Sequence, residues 1–283
     1  MTSKHIAVLI IIMLFTVTLA AQDRFADVEV KTIPVAGNVY ALYGSGGNIG
    51  VSAGEDGILM VDDQFAPLEK KIRSALTKLG GDTPQFLLNT HYHGDHVGGN
   101  VAFGKDSHII AHTNIRNRLL GETEKPGLPV ITFDESLSIH FNGEEIKAIH
   151  FPSGHTDGDA VIFFTGSNVV HMGDHMFEGR FPYIDLDAGG DVEGYIDNVK
   201  VILDEVPDDV TLIPGHGEVC DKSALFKFHK MMVETTNILR KKMKAGKDLE
   251  TLTKEGLPGY EEWSWSFIPT ERWIETVFNS YSK

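Results

Sequence analysis

Cysteine is almost absent from this chain of 283 residues, since Cys220 is the only one. A disulfide within the chain is therefore excluded, and so is a lipid-attached cysteine near the N-terminus. Basic residues are also scarce, with 25 Lys and Arg against 40 Asp and Glu, which gives a formal net charge of −15. A field of that sign repels phosphate backbones, so we do not expect nucleic acid as a substrate or partner.

The N-terminus lacks an apolar run long enough to favour a membrane span. Its apolar stretch covers residues 6–19, with Lys4 before it and the small residues Ala20 and Ala21 after it. This layout is typical of a secretory signal peptide, whereas a transmembrane helix needs about 20 apolar residues. We predict a signal peptide over residues 1–21, cleaved near Ala20 or Ala21, and a periplasmic or secreted protein without a stable membrane anchor. An uncleaved anchor is the alternative.

The remaining residues, 22–283, have the composition of a globular protein, because the whole chain is 42% hydrophobic and 23% charged. We see no internal repeat, low-complexity segment or long linker, so a single domain is expected. Short β-branched and aromatic runs over residues 28–59 predict strands of one sheet, and a second strand-rich block spans residues 131–170. Helical periodicity follows at 191–203 and 222–244, and a closing helix is expected in the last 30 residues, which contain Trp263, Trp265 and Trp273.

The stretch HYHGDHVGGN, residues 91–100, carries the strongest chemical signal in the chain. Three imidazoles and a carboxylate fall within six residues, namely His91, His93, Asp95 and His96. These are side chains that zinc takes as ligands. If the preceding run PQFLLNT is a strand, alternation aims His91 and His93 the same way and leaves Asp95 and His96 on the loop beyond. A polar loop with three incidental histidines is the alternative to a metal site.

Three more stretches place a lone polar residue in a glycine-bearing loop at the end of a predicted strand. They are SGHTDGDAVIFF with His155, VVHMGDHMFEGRF with Asp174, and TLIPGHGEV with His216. Strand ends are where functional groups lie on sandwich and α/β scaffolds.

Taken together, these motifs closely resemble the metallo-β-lactamase superfamily, whose pattern is His-x-His-x-Asp-His followed by a His, an Asp or Cys, and a His. The resemblance covers roughly residues 30–220. It implies an α/β fold (α+β in some schemes): a four-layer αβ/βα sandwich of two mixed sheets with outer helices, and with metals at one edge between the sheets. Residues after His216 would form a C-terminal helical extension of the domain.

The resemblance also implies two zinc ions per chain, with iron or manganese as less favoured occupants. One ion would be bound by His91, His93 and His155, the other by Asp95, His96 and His216, and Asp174 would bridge them. Asp62 matches the family's aspartate at the end of an early strand, where it would accept a hydrogen bond from a ligand histidine and orient it.

The activity implied is hydrolysis of a small ester, lactone, thioester or lactam by a metal-bridging hydroxide. Asp95 and Asp174 are the candidate catalytic carboxylates, since Asp95 is placed to shuttle the proton of the hydroxide. An aspartate bridge is typical of the glyoxalase II and lactonase branches. No lysine follows Asp174 as in cysteine-type β-lactamases, and Arg180 is the nearest cation for a substrate carboxylate. A β-lactamase and a non-hydrolytic di-iron or redox-relay protein are the alternatives.

Several other polar residues are predicted to be structural. Asp157 and Asp159 are expected to hold the loop after His155, and His175 to face away from the metals. A group of histidines in apolar sequence is expected to be buried and hydrogen-bonded: His108, His112, His150 and His171. The glycine-rich segment 44–50 precedes no helix, so it predicts a turn or an active-site flap and not a phosphate-binding loop.

Overall fold

The computed structural model describes residues 24–282. The predicted signal peptide lies outside these residues. Within residues 24–282, no helix combines the length and the apolar character needed to cross a membrane.

The first half of the chain forms a mixed sheet of seven strands that follow one another in chain order. The strands are β1 Lys31–Ala36, β2 Val39–Tyr43, β3 Ile49–Gly54, β4 Gly57–Val61, β5 Phe86–Leu88, β6 His108–His112 and β7 Ile131–Phe133. Strands β1 to β4 pair antiparallel, and β4 to β7 pair parallel. The strands predicted over residues 28–59 are thus confirmed as neighbours in one sheet.

The second sheet contains six strands in the order β13-β12-β11-β10-β9-β8. Its strands are β8 Ser136–Phe141, β9 Glu144–His150, β10 Ala160–Phe164, β11 Val169–Phe177, β12 Thr211–His216 and β13 Cys220–Asp221. The pair β11–β12 is parallel and the other pairs are antiparallel. Both sheets are therefore mixed, as the family resemblance implies.

Helices occupy the connections and the C-terminus. They are α1 Glu69–Thr77, α2 Gly94–Val97, α3 Asn100–Phe103, α4 Thr113–Leu119, α5 Val192–Glu205, α6 Lys222–Lys244, α7 Leu249–Glu255 and α8 Thr270–Tyr281. Asp191 and Asp221 cap α5 and α6, because their carboxylates accept hydrogen bonds from backbone N–H groups of the first turn. The prediction for residues 222–244 matches α6, whereas α5 begins one residue later and ends two residues later than predicted.

Three apolar layers separate four layers of secondary structure. The middle one lies between the sheets, where Leu59 and Val61 of β4 share a cluster with Ile146 and Ile162 of the second sheet. On the outer face of the first sheet, Met60 packs with Ile72 of α1. Helices α5, α6 and α8 cover the other outer face. Each such side chain stabilises the fold by roughly 1.5–3 kcal/mol when fully buried. The four-layer sandwich predicted from the sequence is confirmed.

The C-terminal helices share the core of the second sheet. Trp273 of α8 is fully buried, stacks on Phe181 with ring centroids 5.7 Å apart, and donates a hydrogen bond of 3.0 Å to Thr235 Oγ1 on α6. Trp265 donates to the Phe181 carbonyl at 3.0 Å. The predicted closing helix is present, and the segment before it is fixed against the loop that follows β11.

Candidate metal centre

Both sheets send polar side chains to one edge of the sandwich. His91 and His93 follow β5 of the first sheet, and Asp95 and His96 lie on the single turn of α2. The sequence predicted a loop for those last two residues. The structure corrects this, because the backbone N–H groups of His96 and Val97 bond back to the His93 carbonyl and close a helical turn.

The second sheet supplies the three remaining side chains. His155 lies in the loop between β9 and β10, Asp174 lies within β11, and His216 is the last residue of β12. Asp174 was predicted in a loop at the end of a strand, and the structure corrects this, because β11 continues to Phe177. The seven residues predicted from the motifs meet at this edge in two groups. In each group the candidate ligand atoms all lie within 4.8 Å of one another: His91, His93, His155 and Asp174 in the first, and Asp95, His96 and His216 in the second.

Asp174 faces both groups with different oxygens. Its Oδ2 is 3.7 Å from His91 Nε2 and 3.4 Å from His155 Nε2. Its Oδ1 is 3.1 Å from His96 Nε2 and 3.5 Å from His216 Nε2. The carboxylate thus lies between the two groups, with one oxygen directed at each.

The unpaired polar atoms of the cluster fit a metal. Among the described residues, His91 Nε2 is buried without a hydrogen-bond partner, and so are His96 Nε2 and Asp174 Oδ1, which lie 3.1 Å apart without hydrogen-bond geometry. Such orphaned atoms cost about 1–3 kcal/mol each unless something else binds them. His93 Nδ1 and His155 Nε2 lie only 2.8 Å apart. Imidazole nitrogens and carboxylate oxygens converging in this way form a donor set that suits zinc, so the residues present fit a divalent cation at each group.

Burial and charge set the protonation of the first group. Burial lowers the pKa of His91 well below its usual value and that of His155 to about 4. Burial alone would raise the pKa of Asp174, but the surrounding imidazoles lower it well below the ordinary range. Neutral imidazoles and an ionised carboxylate are the forms that bind metal ions.

The second group holds protons more tightly. Burial opposes the charged form of His216, but Asp174 and Asp95 together raise its pKa to about 9. The pKa of His96 is also raised, because Asp174, Asp95 and Asp62 outweigh the effect of burial. A cation bound by this group must therefore displace protons from imidazole nitrogens.

Asp62 lies behind His96, at the position the family resemblance implies. Its Oδ2 is 2.7 Å from His96 Nδ1, and its carboxylate also accepts hydrogen bonds from the N–H and the hydroxyl of Thr90 at 2.8 and 2.7 Å. Asp62 has a positive φ of 61°, a strained conformation for a residue with a side chain. These hydrogen bonds fix the His96 ring so that Nε2 faces the cluster.

Sequence reasoning missed Asp185, which orients the ring of His93 as Asp62 orients that of His96. Asp185 Oδ2 is 3.0 Å from His93 Nε2 and accepts a hydrogen bond of 2.8 Å from the Tyr92 hydroxyl. His155 is fixed similarly, with its Nδ1 donating to the Tyr183 carbonyl at 2.7 Å. Both partners come from the loop after β11. A single sequence offers no signal for them, since they lie far from the histidine motifs along the chain.

Two backbone segments approach the cluster closely at glycines, namely the turn at Gly47 and strand β12 at Gly215. A Cβ on Gly47 would lie 2.1 Å from His96 Cε1, and a Cβ on Gly215 would lie 2.1 Å from Asp174 Oδ1. The Gly47 N–H donates to the Asp95 carbonyl at 3.1 Å. The glycine-rich segment 44–50 is therefore a turn between β2 and β3 that packs directly on the cluster, and a side chain at Gly47 would displace a candidate ligand.

Aromatic residues line one side of the cluster. The Tyr183 ring lies 5.6 Å from the rings of both His93 and His155, and the Trp265 ring lies 6.2 Å from that of His216. Phe267 contacts both aromatic residues at 5.5 Å and remains 48% exposed. We refer to Tyr183, Trp265 and Phe267 as the aromatic wall. Arg180, the cation proposed from the sequence for a substrate carboxylate, lies with its guanidinium 5.2 Å from the Trp265 ring.

The loop after His155 is held by its carboxylates. Asp157 forms a two-point ion pair with Arg118, at 2.7 and 2.8 Å. Asp159 accepts hydrogen bonds from the N–H and the hydroxyl of Thr156, and burial raises its pKa to about 8. Neither residue belongs to the two candidate ligand groups.

The remaining histidines lie away from those groups as well. The buried His175 has Asn198 as its polar neighbour, 3.3 Å from Nε2, on the side facing α5. Three others are hydrogen-bonded to backbone carbonyls as expected: His112, His150 and His171. His108 differs from the prediction, because it is exposed at the start of β6.

Comparison with known proteins agrees with this geometry. Residues 33–216 match the model of the Metallo-beta-lactamase superfamily. A hydroxyacylglutathione hydrolase of Chelativorans sp. (strain BNC1) is 28% identical over 225 residues, which cover 75% of this chain and 76% of that protein. A hydroxyacylglutathione hydrolase of Mesorhizobium japonicum is 34% identical over 115 residues, 40% of this chain. That match spans only 41% of the relative's own length.

Solved structures share the fold at low sequence identity. A double mutant of the sec-alkyl sulfatase PisA1 aligns with a TM-score of 0.72 at 14% identity, over 89% of this chain and 50% of the sulfatase. The DIM-1 metallo-beta-lactamase aligns with a TM-score of 0.64 at 16% identity, over 74% of this chain and all of that enzyme. The family match includes every residue of the two candidate ligand groups. The chain belongs to the metallo-beta-lactamase superfamily.

Proposed function

We propose that the protein is a hydrolase of a small carbonyl substrate, an ester, lactone, thioester or lactam, in the aspartate-bridged dinuclear branch of the superfamily. The observation that carries this proposal is Asp174, whose Oδ2 faces two histidines of the first group and whose Oδ1 faces two histidines of the second. We propose zinc as the metal, because the donors are imidazoles and carboxylates without a thiolate. Two bound zinc ions would supply Lewis acidity and lower the pKa of bound water toward 7.

The residues have distinct roles in this proposal. Asp174 holds the two groups together, since a carboxylate between them offsets the repulsion of two dications. Asp95 has the most exposed side chain of the cluster, at 28%, and its Oδ2 lies 3.4 Å from His216 Nε2. It therefore meets solvent and substrate at the open side, where Oδ2 is placed to accept a proton. His93 and His216, with 18% and 14% side-chain exposure, border the same opening.

The substrate approaches between this opening and the aromatic wall. Tyr183 adjoins His93, and Trp265 adjoins His216, so both exposed ligands have an aromatic neighbour. An apolar group of the substrate packs against these rings and excludes water beside the reacting carbonyl. The resemblance to hydroxyacylglutathione hydrolases supports a carbonyl substrate of the ester or thioester type.

A substrate screen tests the proposal. Zinc-loaded protein is assayed against a nitrophenyl ester, a γ-lactone, a hydroxyacyl thioester and a chromogenic cephalosporin, with Asp174→Ala as the inactive reference. Asp208→Asn is the matched control, because Asp208 is a fully exposed carboxylate far from the cluster. We expect turnover of at least one of the first three, abolished by the first substitution and unaffected by the second. Protein that retains two metals but hydrolyses none of the four would refute the proposal, and bound iron with visible absorbance would favour a redox role.

We also infer export of the mature chain, supported by the sequence layout around Lys4 and residues 6–19. A periplasmic or secreted location is compatible with the small-molecule substrate that we propose.

A further inference from the structure

Arg272, near the start of α8, projects its guanidinium against two rings of the aromatic wall. Its Cζ lies 5.2 Å from the Tyr183 ring centroid and 4.7 Å from that of Phe267, and Nη1 donates to the Phe267 carbonyl at 3.1 Å. Among the described residues no carboxylate forms an ion pair with it, although Arg73 and Arg118 are paired in this way.

Lack of an ion pair does not by itself distinguish Arg272. Arg240 likewise stacks on an aromatic ring, that of Tyr281 at 4.3 Å, without a carboxylate partner among residues 24–282. The difference is location. The ring beneath Arg240 belongs to the α8 surface, whereas the Tyr183 ring beneath Arg272 also lies 5.6 Å from the rings of His93 and His155. Arg272 therefore stands one aromatic ring away from the candidate metal ligands.

The aromatic wall between Arg272 and the cluster includes exposed apolar surface, and the carboxylates of Asp185 and Asp187 lie near its Tyr183 end. Phe267 is 48% exposed and contacts both Tyr183 and Trp265. A large exposed ring beside a polar centre is uncovered apolar surface of the kind that ligands bind. The wall thus has candidate metal ligands at one end, exposed aromatic surface in the middle and a cation at the other end.

We propose that the aromatic wall and Arg272 form the binding site for the distal part of the substrate, a planar apolar group that bears a carboxylate. This inference rests on the proposed hydrolase function. The scissile carbonyl lies at the metal ligands, the planar group packs on Phe267 and Tyr183, and the carboxylate meets the guanidinium. Arginine suits this role because its planar fork matches a carboxylate at two points and stacks on aromatic rings.

The negative net charge of the chain increases the importance of Arg272 for binding an anionic substrate. With a net charge of −15, the protein repels anions at long range. An anionic substrate therefore needs a local cation near the cluster. Arg180 also contacts the wall, because it lies over the Trp265 ring, which is 6.2 Å from that of His216. We assign the carboxylate to Arg272 because it contacts two rings of the wall, including the exposed Phe267.

Part of this site lies outside the family match. Trp265, Phe267 and Arg272 all follow residue 216, where the match to the superfamily ends. Three of the four residues of the site therefore belong to the C-terminal extension, and only Tyr183 comes from the matched region.

Paired esters that differ only in charge test the assignment. Zinc-loaded protein hydrolyses 3-acetoxybenzoate and its neutral analogue 3-acetoxybenzamide, and each variant is compared with wild type on both. For Arg272→Gln we expect kcat/KM to fall roughly 10- to 100-fold for the benzoate, mainly through KM, because a hydrogen-bonded charge pair is lost. The benzamide should change less than about 3-fold. Arg272→Lys should give an intermediate loss, and the control Arg240→Gln should leave both esters unchanged.

Two results would overturn the assignment. Equal losses on both esters would mean that Arg272 supports only the fold, and a selective loss in Arg180→Gln but not in Arg272→Gln would transfer the role to Arg180. Near-UV circular dichroism of each variant checks that the wall remains packed.

A binding measurement separates this inference from the proposed function. If the wild type hydrolyses neither ester, the proposal of ester hydrolysis fails, but the binding site can still be tested. The zinc-loaded protein is titrated with benzoate and with benzamide, and binding is followed by tryptophan fluorescence. We expect Arg272→Gln to raise the Kd for benzoate about 10-fold or more and to leave that for benzamide unchanged. Equal benzoate affinity in both proteins would place the anion on the metals alone and refute the site.

Discussion

Replacement of Asp185 by asparagine should weaken metal binding at one of the two proposed sites and leave the other intact. The Asp185 carboxylate accepts the Nε2–H of His93 at 3.0 Å, which directs Nδ1 into the first ligand group. Burial would raise the pKa of Asp185, but the hydrogen bonds from His93 and Tyr92 lower it, so the group is ionised at neutral pH. Asparagine keeps the size and one acceptor oxygen but removes the charge.

The expected magnitude follows from the kind of hydrogen bond. A bond to a charged group contributes about 1.5–3 kcal/mol, and changes behind a metal-bound histidine typically cost 10- to 100-fold in affinity. We expect a loss in that range for the site that contains His93. Tyr92→Phe removes only a hydroxyl donor from the same carboxylate and should cost about 10-fold or less. Asp187→Asn is the matched control, because Asp187 is exposed in the same loop and belongs to neither candidate ligand group.

Competition with a chromophoric zinc chelator measures both sites in one titration. Wild type should show two binding steps, of which Asp185→Asn shifts one to weaker affinity while Asp187→Asn shifts neither. Two unchanged steps would show that Asp185 does not orient His93. An equal shift of both steps would point to a general structural defect.

Three further predictions are directly measurable. Asp174→Ala should reduce the metal content found by elemental analysis from two ions per chain toward one, and full retention of both would exclude a bridging role. The rings of His112 and His150 stack with centroids 3.8 Å apart, and burial lowers the pKa of both side chains. Because these histidines bind protons more readily in the unfolded chain than in the folded one, the free energy of unfolding should fall as the pH drops below about 6.5. The free energy of unfolding, measured with urea between pH 7.5 and 5.5, should change less with pH in His150→Phe than in the wild type. An unchanged pH dependence would show that this histidine pair does not cause the effect. Mass spectrometry of protein from its native host should find a mature N-terminus near Ala21, whereas intact Met1 in a cytosolic fraction would disprove export.

The local part of the site could be predicted because its residues are close in sequence. His91, His93, Asp95 and His96 fall within six residues, and their spacing is itself a chemical signal. The more distant His155 and His216 were found through their strand-end positions and the family pattern. The layering was implied by the family resemblance. Strands such as β4 show its physical basis, since apolar residues on both sides of a strand require cover on both faces.

The surroundings of the ligands could not be predicted, because they depend on tertiary contacts. Asp185 reaches His93 across 92 positions of the chain, and nothing in FPYIDLDAGG marks it as a histidine partner. The helical turn at Asp95 and His96 was likewise missed, because Gly94 begins it and Gly98 and Gly99 follow it, and glycines favour irregular structure. Arg180 was chosen by its nearness to Asp174 in sequence, and the stacking of Arg272 on the wall became visible only in three dimensions.

Each candidate ligand group draws on both sheets, and this has a mechanical consequence. The first group joins His91 and His93 from the first half of the chain to His155 and Asp174 from the second, and the second group joins Asp95 and His96 to His216. Ions bound there would act as removable cross-links between the halves of a protein whose lone cysteine cannot supply a covalent one. Such ions stabilise the folded state in proportion to the logarithm of their free concentration. Chelation should therefore loosen the edge where the two sheets meet, and hydrogen exchange at the ends of β5 and β12 should rise together when the metal is withdrawn.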